Sequence, residues 1–65
     1  MNIAIEFLIC CIEEYKSAHG LSGHEVIALF CQHGIEGYIL RHYDALHTAG
    51  VEYTIAEIEE MMKIL

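Results

Sequence analysis

Sixty-five residues carrying a formal charge of −7, with Lys16, Arg41 and Lys63 as the only Lys or Arg, argue against nucleic acid and anionic membranes as partners, because phosphate surfaces need cations to displace their counterions. A chain this short makes one small domain, residues 1–65, and a core of that size supplies only about 3–5 kcal/mol unless a disulfide, a metal or a second subunit helps. Its hydrophobic fraction of 55% exceeds the usual ~45–50%, so apolar surface should remain exposed, and an exposed apolar patch marks an interface.

The chain has no proline, so glycine divides it, at Gly20, Gly34 and Gly50. The first segment predicts a helix over about 2–19. Ala4, Leu8, Cys11, Tyr15 and Ala18 share one stripe at helical spacing. Ile5, Phe7 and Ile12 widen the stripe, Ile9 stands at its border, and Glu6, Glu13 and Ser17 mark the wet face. The apolar arc spans roughly 200°, wider than the ~100° a surface helix needs. Such a helix should pack against two neighbours at once or against another chain.

The second segment has explicit start and stop signals and predicts a helix over 23–33. Ser22 and Glu25 form a capping box, with Leu21 and Val26 in the two positions of a hydrophobic staple. Gly34 suits a left-handed helix end, with Ile35 placed to touch Phe30 as in a Schellman motif. Val26, Ile27, Phe30 and Cys31 are expected to face inward.

The third helix is expected over about 36–48. Tyr38, Ile39, His42, Leu46 and Ala49 make its apolar stripe, with Tyr43 beside them. Gly37 in its first turn costs up to about 1 kcal/mol against Ala and is a place for another backbone to approach. A fourth helix is expected over about 55–64. Thr54 and Glu57 have capping-box spacing, Tyr53 and Ile58 staple spacing, and Ile55, Ile58, Met62 and Leu65 share a face. The weak alternation of Val51 to Ile55 also leaves room for a short extended piece. The fold class is therefore all-α, a bundle of four short helices.

Residues that could carry chemistry do not converge. Three cysteines, two of them adjacent, fit free thiols in a reducing cytosol better than a secreted disulfide framework, with small buried hydrophobes as their expected role. The apolar run Ile3–Ile12 is too short to span a bilayer and contains Glu6. No basic residue precedes it, so it does not read as a signal peptide. Five histidines raise a metal site, but His42 and His47 stand five apart, not the three or four of one helical face. His42, inside an apolar stripe, reads as a partly buried core histidine. Cys31 with His33 or His24 is the only local pair of nucleophile and base. The acidic run from Glu52 to Glu60 lacks the calcium-loop pattern and reads as a solvated helix face. No catalytic, cofactor-binding or metal-ligating residue is assigned.

Several strings together resemble one bacterial family. They are Ile5-Glu6-Phe7-Leu8, Cys11-Ile12-Glu13-x-Tyr15-Lys16, Leu21-Ser22-Gly23-His24-Glu25-Val26, Leu29-Phe30, Gly34, Tyr38-Ile39 and Tyr43-Asp44-Ala45-Leu46-His47-Thr48-x-Gly50. Nearly the whole chain is similar to the short proteins of domain of unknown function 3791. The Leu-Ser-Gly turn and the Leu-His-Thr late in helix three are the most specific parts. By this resemblance His47 is a family position, while His42 stands where the family pattern implies an apolar or aromatic residue. The resemblance implies a small protein of gut-type bacteria encoded near proteins resembling ADP-ribosyltransferases, hence a toxin and antitoxin arrangement or another accessory pairing.

The expectation is a cytoplasmic, non-enzymatic protein–protein interaction module, an antitoxin-like or accessory partner of such a neighbour. Self-association as a homodimeric structural protein, and a His/Cys metal-binding sensor, are the alternatives. The contact residues expected are Ile5, Ile9 and Ile12, on the flank of the over-wide arc, then His47 and Thr48, which the resemblance includes and which lie outside the apolar stripe.

Overall fold

The computed structural model describes residues 2–64, as five α-helices: α1 Ile3–His19, α2 Gly23–His33, α3 Ile35–Arg41, α4 Tyr43–Ala49 and α5 Val51–Ile64. The all-α class holds, and the described residues contain no strand. The count of four does not: the expected third helix is two, and the last helix begins four residues early. Leu65, expected on the inward face of the last helix, lies outside the described residues.

The glycine divisions are real, each for a local reason. Gly20 and Gly34 take left-handed φ of 62° and 68°, a conformation that costs glycine little and other residues more. At the end of α1 the Leu21 N–H donates to the Lys16 carbonyl at 3.1 Å, the long-range bond of a Schellman motif. At Gly34, where that motif was expected, the Gly34 N–H bonds the carbonyls of Phe30 and Cys31, and the chain turns directly into α3. Ile35 is thus the first residue of a helix, and it is fully buried. The capping box forms as read: Glu25 N–H donates to Ser22 Oγ at 3.1 Å, and Ser22 N–H donates to Glu25 Oε1 at 2.9 Å.

Two corrections follow from the break between α3 and α4. His42 is the hinge, at φ −109° and ψ 23°, with no glycine or proline to announce it. Turning there brings Ile39 and Leu46 into the core and leaves His42 and Ala49 exposed, so His42 is not a core histidine. Gly37 does not receive a backbone either. A Cβ there would stand 3.3 Å from Arg41 Nη1, so the space above Gly37 is taken by the folded-back Arg41 side chain.

The second capping box does not form. Thr54 is fully buried inside α5, and its hydroxyl donates back to the Gly50 carbonyl at 2.9 Å and reaches the Leu46 carbonyl at 3.5 Å. A threonine hydroxyl can bond its own helix four residues back as well as cap. Here that second use links the end of α4 to the start of α5. Tyr53, the expected staple residue, is half-exposed and donates to Glu57 Oε1 at 3.1 Å. Val51 to Ile55 is helix, not an extended piece.

The core is Cys11, Tyr15, Val26, Phe30, Ile35, Ile39, Leu46, Ile55 and Ile58. Helix α1 lies at its centre and packs against all four other helices. That accounts for most of its wide apolar arc without a second chain: Phe7, Leu8 and Ile12 pack onto the core from its borders. The radius of gyration, 10.8 Å, is that of a close-packed chain of this length, about 10.7 Å.

Candidate interaction surface

Apart from Ala18 near its end, the arc of α1 is covered except on one flank; Ile3, in the first turn and outside the arc, is also exposed. Ile5 is 42% and Ile9 46% exposed, whereas Ile12 is half-buried against the core. The three stand at i, i+4 and i+7, so they form one continuous stripe along the helix. Glu6 and Glu13, both exposed, run along the solvent edge of that stripe at the same spacing. Lys16 continues the stripe by one turn and reaches back to Glu13, Nζ to Oε1 3.7 Å. The surface is thus an apolar strip with an acidic border.

His47 and Thr48 lie elsewhere. Both are exposed and both bond to their own helix. The His47 Nδ1–H donates to the Tyr43 carbonyl at 2.9 Å and Thr48 Oγ1 donates to the Asp44 carbonyl at 2.8 Å. The His47 ring stacks on Tyr43 at 4.3 Å and 6°, and Tyr43 meets Phe7 edge-on at 5.7 Å. Phe7 stands two residues from both Ile5 and Ile9, about 160° around α1. The structure therefore brings Ile5, Ile9 and Ile12 together and separates them from His47 and Thr48.

Sequence reading missed a pattern in the aromatics. Tyr15–His19, Tyr38–His42 and Tyr43–His47 repeat a Tyr-x-x-x-His spacing, and each pair is in ring contact, with centroids 4.1, 4.9 and 4.3 Å apart. The signal was present, since residues four apart on a helix meet. Of the three pairs, only Tyr38–His42 is anticipated by the sequence, where Tyr38 or Tyr15 is a candidate partner for His42; the repeat of the spacing is not. His19 does more than stack: its Nε2 lies 2.9 Å from Glu59 Oε2 and ties the end of α1 to α5. Among the described residues no three His, Cys, Asp or Glu side chains gather so that they could hold a metal ion.

Two open grooves flank α1. One, of about 420 Å³, is lined by Glu14, Ala49, Gly50, Val51 and Glu52. The other, of about 320 Å³, is lined by Tyr15, His19, Glu59, Met62 and Lys63. Tyr15 is buried at its base, with its hydroxyl 3.9 Å from Met62 Sδ; burial, then the Glu59 charge, raises its pKa. The thiols are free and differ in setting. Cys11 alone is the small buried hydrophobe expected of all three, and burial, with Cys10 beside it, pushes its pKa up to about 11. Cys10 and Cys31 are exposed, which corrects the inward placement of Cys31. The neighbouring Glu36 carboxylate, then desolvation, raises the pKa of the Cys31 thiol. Ile27, also expected inward, is half-exposed.

Among the described residues no helix is long and apolar enough to cross a membrane. Neither curated proteins nor solved structures provide a match to this chain. A family model described as a protein of unknown function, DUF3791, matches residues 6–64, a span that takes in Ile9 and Ile12 of the α1 strip, the capping box, the hinge at His42 and both grooves, and begins one residue after Ile5. The chain belongs to the DUF3791 family.

Proposed function

We propose that this protein is a non-enzymatic protein–protein interaction module that works by laying the outer flank of α1 against a partner. One observation carries the reading: Ile5 and Ile9 remain 42% and 46% exposed, one turn apart, on the helix that otherwise organises the whole core. A strip of this kind gains free energy when another surface covers it, at roughly 25 cal/mol for each Å² of apolar area removed from water. The family resemblance makes an ADP-ribosyltransferase-like neighbour the first partner to try, with this chain as its antitoxin-like or accessory subunit.

The test is co-expression with that neighbour, followed by size-exclusion chromatography with light scattering. Co-elution at a fixed ratio is expected, and I5S/I9S should abolish it while keeping the helical circular dichroism at the assay temperature, with a melting temperature lowered by the buried share of the two side chains, about 1 kcal/mol each or about 4–8 °C for each kcal/mol. If I5S/I9S co-elutes as fully as the parent chain, the strip is not the contact. If the parent chain and every candidate partner elute apart, the accessory role fails.

A further inference from the structure

We propose that the occupant of the α1 strip is a cationic protein surface, an apolar ridge bordered by Lys or Arg, and not a second copy of this chain. The proposal rests on the interaction-module reading and names the partner's chemistry. The first argument is where the charges sit. Glu6 and Glu13 are exposed along one edge of Ile5, Ile9 and Ile12, so a partner seated on the isoleucines brings its own border side chains beside two carboxylates. Like charges placed there oppose docking, and opposite charges steer and hold it.

The second argument is where the cations are. The formal charge is −7 with three cations. Lys16 is engaged by Glu13 at 3.7 Å and Lys63 by Glu60 at 3.3 Å. Arg41 lies over Gly37 on α3. Of the three only Lys16 lies near the strip, one turn past Ile12, so a two-fold contact brings one cation per copy against the two border glutamates Glu6 and Glu13. A two-fold contact uses the same patch on both subunits. Pairing two α1 strips antiparallel about such an axis sets the Glu6 and Glu13 edges of both copies along the same side of the contact. Two bodies of −7 also repel each other before they meet. A ridge with Lys or Arg at its border removes both obstacles.

The experiment uses the whole protein, isotope-labelled, and two designed helical peptides of about five turns with leucine at i, i+3, i+4 and i+7. In one peptide the remaining positions are lysine; in the other they are glutamate. The lysine peptide should shift backbone amides concentrated in 3–16. Its affinity should fall at least tenfold between about 0.01 M and about 0.15 M salt, as the Debye length shrinks from about 30 Å to about 8 Å. E6Q/E13Q, which alters exposed side chains only, should weaken it about tenfold, and I5S/I9S should remove it. The glutamate peptide should not bind.

Equal binding of both peptides, shifts centred away from α1, or full affinity in E6Q/E13Q would overturn the cationic assignment. So would a dimer of the free protein that Ile9→Glu dissolves, since a second copy would then be the occupant. In those cases a contact still lost in I5S/I9S leaves the interaction module standing. If I5S/I9S changes no association at all, the module reading falls as well.

Discussion

Thr54 separates two accounts of how α5 begins, and aspartate separates them best. If Thr54 capped a helix starting at Ile55, Thr54→Asp would be neutral or stabilising, because Asp and Ser rank above Thr at that position. The structure places Thr54 at full burial with its oxygen 2.9 Å and 3.5 Å from two carbonyl oxygens. A carboxylate there would face acceptors only, and an uncompensated buried charge costs about 3–5 kcal/mol. The domain of 65 residues has about 3–10 kcal/mol to lose. Thr54→Asp should therefore lose about a third or more of the stability at neutral pH and melt at least about 12 °C below the parent, at about 4 °C or more for each kcal/mol. Thr54→Ser keeps the hydroxyl and deletes one buried methyl, worth about 1 kcal/mol, or about 4–8 °C in melting temperature. Thermal melts followed by far-ultraviolet circular dichroism give the order parent, Ser, Asp. An Asp variant that melts within a few degrees of the parent, or above it, would refute the buried assignment.

Other consequences can be read with the same melts or with simple chemistry. Ile58→Ala empties a fully buried site and should cost about 2–5 kcal/mol, while Ile27→Ala at a half-exposed site should cost under about 1 kcal/mol; equal costs would mean that α2 is rotated from its described orientation. Glu25 accepts from the Ser22 backbone and neighbours its hydroxyl, and the two hold its carboxyl below the usual carboxylate range. Its contribution to stability is therefore complete above the unfolded carboxylate pKa and is lost as pH falls through the lower folded one; acid titration of Glu25→Gln should show a shallower loss than the parent, and an identical slope would count against the capping box in solution. Alkylation with iodoacetamide at mildly alkaline pH should modify Cys10 first and Cys31 more slowly, and should leave Cys11 intact until denaturant is added. Early labelling of Cys11, read by peptide mass spectrometry, would mean that α1 is not packed as described.

The parts of the fold legible in sequence are those decided within one or two turns. Gly20 and Gly34 end helices because the left-handed residue there must be glycine. Ser22 and Glu25 cap α2 because both bonds lie inside four residues. Thr54 and Glu57 carry the same spacing and fail, because the Thr54 hydroxyl has a tertiary alternative at Leu46 and Gly50 that no local pattern displays. The hinge at His42 was illegible for a related reason: it is imposed by packing Ile39 and Leu46 onto α1 and α5, not by a residue that breaks helices. Ile35 reads in sequence as the apolar residue that follows a left-handed glycine and touches Phe30, yet it opens α3 and is fully buried in the core. Of the candidate site, the Ile5 and Ile9 flank was legible because the arc of α1 exceeds what one neighbour can cover. Its separation from His47 depends on how α4 meets Phe7, a contact between residues 36 apart in sequence.

An exposed isoleucine alone needs no explanation, since more than half of any folded surface is apolar. What makes Ile5 and Ile9 informative is that looseness of the fold does not account for them. The accessible surface is 4186 Å², matching the about 4,200 Å² of a compact chain of this mass. The interior is already closed, with α1 in contact with every other helix, so no helix remains to cover that flank. Full burial of an isoleucine is worth about 1.5–3 kcal/mol, and with 42% and 46% of their surface in water each leaves roughly 1 kcal/mol of that unrealised. Folding does not recover it; only a second surface can. The row of Glu6 and Glu13 then selects among surfaces, because each candidate must bring either cations or repulsion to that edge.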